Sequence, residues 1–156
     1  MNKKAIDEIK KRILEKKNNK ERNSIKIGSS LKKIEEYKTL KKGESFLDGI
    51  YKFLRDNNLK ASDLYTKAYV DRRVYSKMLN KDYKISKNTA ICFCLAMELN
   101  LQETQEMLRR MGYALSSYDD FDIVISYCIE NNIYDIIDVN EYLEELKLPL
   151  LGQKIQ

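Results

Sequence analysis

The sequence predicts an all-α protein. The chain has 156 residues but only five glycines and one proline, Pro149, so few residues would interrupt a helix. Apolar residues recur at helical spacing along most of the chain, and no alternating run of Val, Ile and Thr is long enough for a strand. Hydrophobic residues make up 43% of the chain, which can supply a core for these helices.

Charge divides the chain into three predicted regions. Residues 1–42 hold 15 Lys/Arg against 6 Asp/Glu, residues 43–117 hold 12 against 9, and residues 118–156 hold 2 against 9. We therefore predict a basic, partly helical N-terminal arm (1–42), a mildly basic core (43–117) and an acidic helical extension packed on that core (118–156). A basic front indicates an anionic partner such as nucleic acid. The alternative is that a Lys-rich arm is simply well solvated.

Residue types argue against catalysis and metal binding. The chain contains no His, so it lacks a His general base, a Ser/His or Cys/His pair and the usual zinc finger. It also lacks a Gly-rich phosphate loop. Cys92 and Cys94 are two residues apart in a predicted helix and would point in different directions, so they and Cys128 are expected to be buried, reduced thiols. We predict no enzyme activity, no catalytic residue, no metal and no cofactor.

Hydropathy predicts a cytoplasmic protein with no membrane association. No run of 18 apolar residues is present, and the N-terminus lacks the apolar segment of a signal peptide.

Helices can be predicted in order along the chain. In the arm, two narrow apolar stripes are separated by the polar residues 15–24; the stripes are Ile6, Ile9, Ile13 and Leu14, and then Leu31, Ile34 and Leu40. In the core, five helices are predicted from N-capping residues: Ser45, Ser62, Asp71, Ser86, and Asn100 paired with Glu103. The fourth of these, "AICFCLAMEL", is apolar almost all round and should be central. Gly112 should end the fifth.

The extension is predicted to contain further helices. One is expected on Phe121, Val124, Ile125 and Cys128, followed by a short helical turn at residues 133–137 and a helix capped by Asn140. The acidic residues of "YDDFD" indicate a helix N-terminus in preference to a metal loop. The apolar residues of this region should pack on the fourth and fifth core helices, or else form a face for a homodimer or a protein partner.

Residues 59–101 resemble the lambda-repressor-like, Xre-type helix-turn-helix domain. The resemblance rests on an ordered set of positions: Leu59, Leu64, Val70, Ser76, Met78, Ser86 and Thr89, followed by "LAMEL". It covers at most residues 45–112. The chain departs from the family pattern at Tyr65, where Ala is usual, and at Tyr69, where Gly is usual because the turn needs a positive φ. "RRMGYAL" followed by "FDIVISYCIENNIYDI" and "PLLG" is similar to a recurring bacterial extension of such domains.

The resemblance implies a five-helix core whose third helix enters the major groove of DNA. On "VDRRVYSKMLN", residues 70–80, Val70, Val74, Met78 and Leu79 form an apolar face that should pack inward. The outward side chains suit guanine edges and phosphate oxygens, and two loop lysines should contact the DNA backbone. The predicted DNA-binding residues are Arg72, Arg73, Ser76, Lys77, Lys81 and Lys84.

These observations predict a protein that binds double-stranded DNA, in the manner of a bacterial or phage transcriptional regulator. Two alternatives stay open. The basic residues of 70–80 could form an ordinary solvated face, or the same helices could bind a protein partner through Tyr65, Tyr69 and Tyr75. An exposed cluster of these tyrosines would favour a protein partner.

Overall fold

The computed structural model describes residues 2–19, 43–80 and 82–152, and in these ranges the chain forms eight helices and no strand. The prediction of an all-α fold is confirmed for this part of the chain. The helices are α1 (Lys3–Asn19), α2 (Phe46–Asp56), α3 (Ala61–Lys67), α4 (Arg72–Met78), α5 (Lys87–Ala96), α6 (Leu101–Arg109), α7 (Asp120–Glu130) and α8 (Ile136–Glu145). The predicted stripe at residues 31–40 lies outside the described residues.

Local capping explains where most core helices begin. Ser45 Oγ accepts a hydrogen bond from Asp48 N–H (3.0 Å), and Asp48 Oδ2 accepts from Ser45 N–H (2.9 Å), which closes a capping box on α2. Asn100 and Glu103 form the same reciprocal pair on α6. Asp71 and Ser86 cap α4 and α5 as predicted. Gly112 follows α6 with a φ of +80°, the left-handed conformation expected after a helix.

Two predicted caps were wrong. Helix α3 begins at Ala61, before Ser62, because the Asp63 carboxylate accepts a hydrogen bond from Lys60 N–H (2.9 Å) and fixes the earlier start. A single helix, α8, replaces both the predicted turn at 133–137 and the predicted helix from Asn140. Asp135 caps it by accepting from Ile137 N–H (2.8 Å), so Asn140 lies in the middle of α8.

Helix α5 lies at the centre of the protein. Every residue from Ala90 to Ala96 is buried, which confirms the prediction from its all-round apolar sequence. Helix α3 packs on α4, α5 contacts α3, α6 and α8, and α2 packs on α6. Helix α4 therefore lies at the surface, packed on α3 and contacting α5 through the Tyr75 and Phe93 rings.

Helix α1, the described part of the arm, packs on the extension. Helix α1 lies against α7 and buries Ile6 and Ile9, whereas Leu14, from the same predicted stripe, is exposed. Helix α7 also contacts α6, and α8 contacts α5. Residues from all three predicted regions thus contribute to one hydrophobic cluster. Ile137 is a large apolar side chain of the extension that stays exposed, and the prediction of a homodimer or protein partner through residues 118–156 stays a prediction.

No helix in the described ranges has the length and apolar character required to cross a bilayer.

Candidate nucleic-acid interface

A short turn between α3 and α4 positions the candidate interface. Ala68, at the end of α3, is fully buried, and Val70 N–H donates to Tyr65 O (2.9 Å) across the turn. Between them, Tyr69 has a φ of +55°. A left-handed backbone costs a residue with a Cβ atom about 1–2 kcal/mol. The turn therefore keeps the conformation for which a glycine is usual, although the residue there is a tyrosine.

The inner face of α4 is held by aromatic packing. Tyr75 is buried, with its ring centroid 5.4 Å from that of Tyr65 and 6.4 Å from that of Phe93. Burial raises the pKa of the Tyr75 phenol, with smaller contributions from its neighbours Tyr51 and Tyr65. Met78 is also buried and Val74 is half-buried. This packing fixes the rotation of α4 about its axis.

The prediction that Leu79 packs inward was wrong, since Leu79 is 51% exposed. Tyr75 takes the core-facing position, and α4 ends at Met78. Leu79 therefore lies beyond the packed face.

Four predicted DNA-binding residues lie together on the outer face of α4. Arg72, Arg73, Ser76 and Lys77 are all exposed. Lys84, on the loop that follows, is exposed as well, whereas Lys81 lies outside the described residues. Helix α4 is thus divided into an apolar side in the core and a basic, hydrogen-bonding side in solvent. We call Arg72, Arg73, Ser76 and Lys77 the α4 outer face.

One cation of the α4 outer face has a local acidic partner. Asp71 Oδ1 accepts a hydrogen bond from the Arg73 main-chain N–H (2.7 Å) and lies 3.3 Å from Arg73 Nε. The side-chain hydrogen bond to Asp71, and then Coulomb attraction to the same carboxylate, raise the pKa of the Arg73 guanidinium. The Arg73 side chain is 85% exposed, so the pair is solvated and weak. This pair was not predicted from the sequence, although an Asp cap followed two residues later by Arg was the available signal.

Aromatic rings lie beneath two of the lysines. Lys77 Nζ is 5.9 Å from the centroid of the Tyr83 ring, and Lys84 Nζ is 4.8 Å from that of Tyr113. Tyr113 is fixed in turn, because its hydroxyl donates to Ile85 O (2.8 Å). These cation–π contacts position both ammonium groups without neutralising them.

The three tyrosines do not form one exposed cluster. Tyr75 is buried, Tyr65 is half-buried against it, and Tyr69 is 51% exposed. Tyr65 and Tyr75 therefore serve the packing of α4, and Tyr69 is the member of the set that a partner could reach.

Three cations elsewhere in the described chain are paired with α7. Arg12 Nη2 lies 3.2 Å from Glu130 Oε2, and its guanidinium carbon lies 5.2 Å from the centroid of the Tyr127 ring. Lys16 pairs with Asp120 of the same helix. From α5, Lys87 Nζ donates to Asp122 Oδ2 (2.7 Å), and the Asp122 side chain is only 1% exposed. The acidic charge of α7 is thus used within the molecule.

The cysteines are buried thiols, as predicted. Cys92, Cys94 and Cys128 are all free and buried. Burial raises the pKa of Cys92 and of Cys128 to about 12 and raises that of Cys94 as well. None of the three is a reactive thiolate near neutral pH. In the described ranges no group of three or more Cys, Asp or Glu side chains is arranged to hold a metal ion.

A separate open groove of about 1010 Å³ lies between α2 and α6. Phe53, Met97 and Met107 contribute apolar surface, and charged side chains such as Lys52 and Arg109 line it as well. None of its lining residues belongs to α4, so the groove is distinct from the candidate interface.

No protein-family model matches the chain, and neither the curated proteins nor the solved structures contain a match.

Proposed function

We propose that this chain binds double-stranded DNA and acts in transcriptional control, as a bacterial or phage regulator with a repressor-like helix-turn-helix in α2–α6. In this proposal α3 and α4 form the helix-turn-helix, and α4 lies in the major groove. The observation that carries the proposal is the division of α4, whose aromatic and apolar residues pack in the core while its Arg, Ser and Lys side chains all face solvent.

The chemistry of the α4 outer face supports this function. Arg and Lys donate to the O6 and N7 acceptors of guanine, and Ser can hydrogen-bond to bases or phosphates. Lys84, positioned over Tyr113, would contact the phosphate backbone beside the groove. The packing of Tyr75 between Tyr65 and Phe93 favours binding, since it holds the helix in one orientation before DNA arrives.

The proposal is tested by the salt dependence of DNA binding. Fluorescence anisotropy with labelled random and genomic duplexes, at a series of KCl concentrations, should give an affinity that falls steeply with salt. An Arg72→Ala/Lys77→Ala variant should lose about tenfold to a hundredfold in affinity, and its log–log salt slope should become shallower by about 1 for each phosphate group that the variant no longer binds.

A matched control separates this effect from net charge. Lys52→Ala/Arg55→Ala removes the same two positive charges from exposed positions on α2, and we expect it to bind almost as well as the wild type. Absence of salt-dependent binding by the wild type would contradict the proposal. If the two variants lost DNA affinity equally, α4 would not be the helix that contacts DNA.

A second candidate function is protein binding through the same helices. The exposure of Tyr69 and Leu79, which flank α4 at its two ends, favours it. A Tyr69→Ser/Leu79→Ser variant should keep its DNA affinity if the first proposal is right. If the wild type binds no DNA and this variant loses a protein partner that the wild type binds, the second candidate replaces the first.

A further inference from the structure

The last described residues of the chain are held by two asparagine side chains. On α5, Asn88 Nδ2 donates to Leu150 O (3.0 Å), and Asn88 Oδ1 accepts from Gly152 N–H (3.3 Å). On α8, Asn140 Nδ2 donates to Leu151 O (3.0 Å), and Asn140 Oδ1 accepts from Leu151 N–H (2.7 Å). Both amides therefore use a donor and an acceptor on the main chain of one short segment.

The segment is also anchored by its side chain. Leu151 is 1% exposed and belongs to the hydrophobic core. Its two main-chain bonds to Asn140 and its buried side chain hold the same residue from two directions. Leu150–Gly152, which we call the clasp, is thus bound to both α5 and α8.

Gly152 brings the clasp against the turn that precedes α4. Its φ is +58°, and a Cβ atom at this position would lie 3.0 Å from Tyr69 Cβ and 3.5 Å from Tyr69 O. The same atom would lie 3.5 Å from Ile136 Cγ2, at the beginning of α8. Only a glycine fits here without moving a neighbour, so the clasp fills the space between α8 and the α3–α4 turn.

The turn is closed locally and also meets the clasp. Tyr69 has a φ of +55°, and Val70 N–H donates to Tyr65 O (2.9 Å), a bond that commonly closes a helix end at a left-handed residue. The clasp adds a contact from the side of the extension, where Gly152 lies against Tyr69. Because Arg72 begins α4 three residues after Tyr69, a change in the turn would reorient the helix.

We propose that Asn88, Asn140 and Gly152 are positioning residues, which hold the clasp against Tyr69 and so set the orientation of α4. The inference rests on the proposed function for its consequence, because a fixed α4 matters for reading DNA. The contact between the clasp and the α3–α4 turn can be tested without DNA.

Hydrogen exchange tests that link directly. Asn140→Ala and Gly152→Ala should raise the exchange rates of amides in residues 65–71 by about tenfold, the effect of losing one or two net hydrogen bonds. Gly112→Ala is the matched control. It also places Ala at a positive φ, +80°, but its new Cβ would meet nothing closer than Lys84 Nζ at 3.8 Å. If Asn140→Ala does not fold, Asn140→Asp keeps an oxygen acceptor for Leu151 N–H, removes the amide donor and places a carboxylate beside Leu151 O, so it should still loosen the clasp.

Cysteine labelling shows whether the effect is local. The Gly152 main chain lies beside the Cys92 thiol, where it opposes in part the rise in pKa that burial causes. Opening of the clasp should therefore let an alkylating reagent reach Cys92 before Cys94 and Cys128, as read by mass spectrometry. Equal labelling of the three thiols would indicate global unfolding and would overturn the proposal.

A double-mutant cycle tests the contact with Tyr69. Tyr69→Gly removes the Cβ atom that the new side chain of Gly152→Ala would contact. The effects of the two substitutions on the amide exchange rates of residues 65–71 should therefore be less than additive. Additive effects would contradict a contact that carries the coupling.

DNA affinity then separates this inference from the proposed function. If both are right, Asn140→Ala and Gly152→Ala weaken DNA binding and Gly112→Ala does not. If the clasp variants show faster amide exchange in residues 65–71 but the wild type binds no DNA, the role of the clasp stands and the proposed function is wrong. If the amide exchange rates of residues 65–71 change no more in Asn140→Ala and Gly152→Ala than in Gly112→Ala, the clasp does not hold the turn, whatever the DNA result.

Discussion

Helices α1 and α4 both carry basic side chains, but the two helices use them differently. On α1, Arg12 and Lys16 are bound to Glu130 and Asp120 of α7. On α4, Arg72 and Lys77 are exposed and form no ion pair with a carboxylate of the described chain, and Arg73 pairs only with the residue that caps its own helix. Arg12 and Lys16 of α1 thus serve intramolecular packing, whereas the cations of α4 remain available to a ligand. The lysines on the other face of α1 are also exposed: Lys3, Lys4, Lys10 and Lys11.

This difference limits what charge composition can predict. The arm is the most basic region of the sequence, yet two of its described cations are held by the acidic extension. The mildly basic core carries the exposed cations of the α4 outer face. Whether a cation can bind an external ligand depends on which side chains it faces in the folded chain. Helix α7 pairs with cations from both α1 and α5.

The largest expected effect concerns the most buried acidic group of α7. Lys87→Met should lower the free energy of unfolding by roughly 2–4 kcal/mol, because it leaves the Asp122 carboxylate buried without its charged partner. Ser116 N–H would remain a donor to Asp122 Oδ2 (2.8 Å), whereas Oδ1 has no hydrogen-bond partner among the described residues. Urea denaturation followed by circular dichroism measures the change.

An exposed pair provides the control for Lys87→Met. Lys52 and Asp56 form an ion pair of 3.0 Å on the surface of α2, so Lys52→Met should cost less than about 0.5 kcal/mol. Equal losses in the two variants would mean that the burial of Asp122 does not matter for stability.

An intermediate effect is expected from the α1 cations. Arg12→Ala/Lys16→Ala should lower the free energy of unfolding by about 1 kcal/mol, since both pairs are partly shielded from water. Its DNA affinity should fall far less than that of Arg72→Ala/Lys77→Ala, because Arg12 and Lys16 are already paired with α7. If the two double variants lost the same DNA affinity, α1 and α4 would not differ in availability.

The smallest effect is expected at the N-cap of α4. Asp71→Asn keeps an oxygen that can cap the helix and removes the negative charge beside Arg73, so stability should hardly change. DNA affinity at low salt should rise by roughly twofold to fivefold, because Arg73 no longer has to break its ion pair with Asp71 before it binds a phosphate group. Asp56→Asn, on α2, makes the same change in net charge at an exposed position. An affinity that rises equally in both variants, or in neither, would show that Arg73 does not contact phosphate.

Much of the fold was predictable because helix starts depend on atoms close in sequence. Ser45 with Asp48, and Asn100 with Glu103, close their capping boxes across three residues. The all-apolar sequence of α5 likewise required a central position. The exposed residues of α4 followed from helical periodicity, which needs no knowledge of the rest of the chain.

Two of the errors arose where residues distant in sequence decided what a side chain contacts. Asn140 is a good capping residue by type, but it binds the main chain of Leu151 instead. Leu79 is apolar and at helical spacing, but Tyr75 fills the space between Tyr65 and Phe93. In both cases the local pattern identified the type of side chain correctly. It could not predict that Asn140 would bind the main chain of Leu151 or that Tyr75 would fill the core.

The sequence by itself therefore determined the helical class, most of the helix starts and the basic character of α4, since these depend on interactions within about one turn of helix. The tertiary structure alone decided which cations are paired with α7. Arg12 meets Glu130 across 118 positions of sequence, and Lys87 meets Asp122 across 35. Such contacts are set by how helices pack, because packing brings together charges that no local pattern relates.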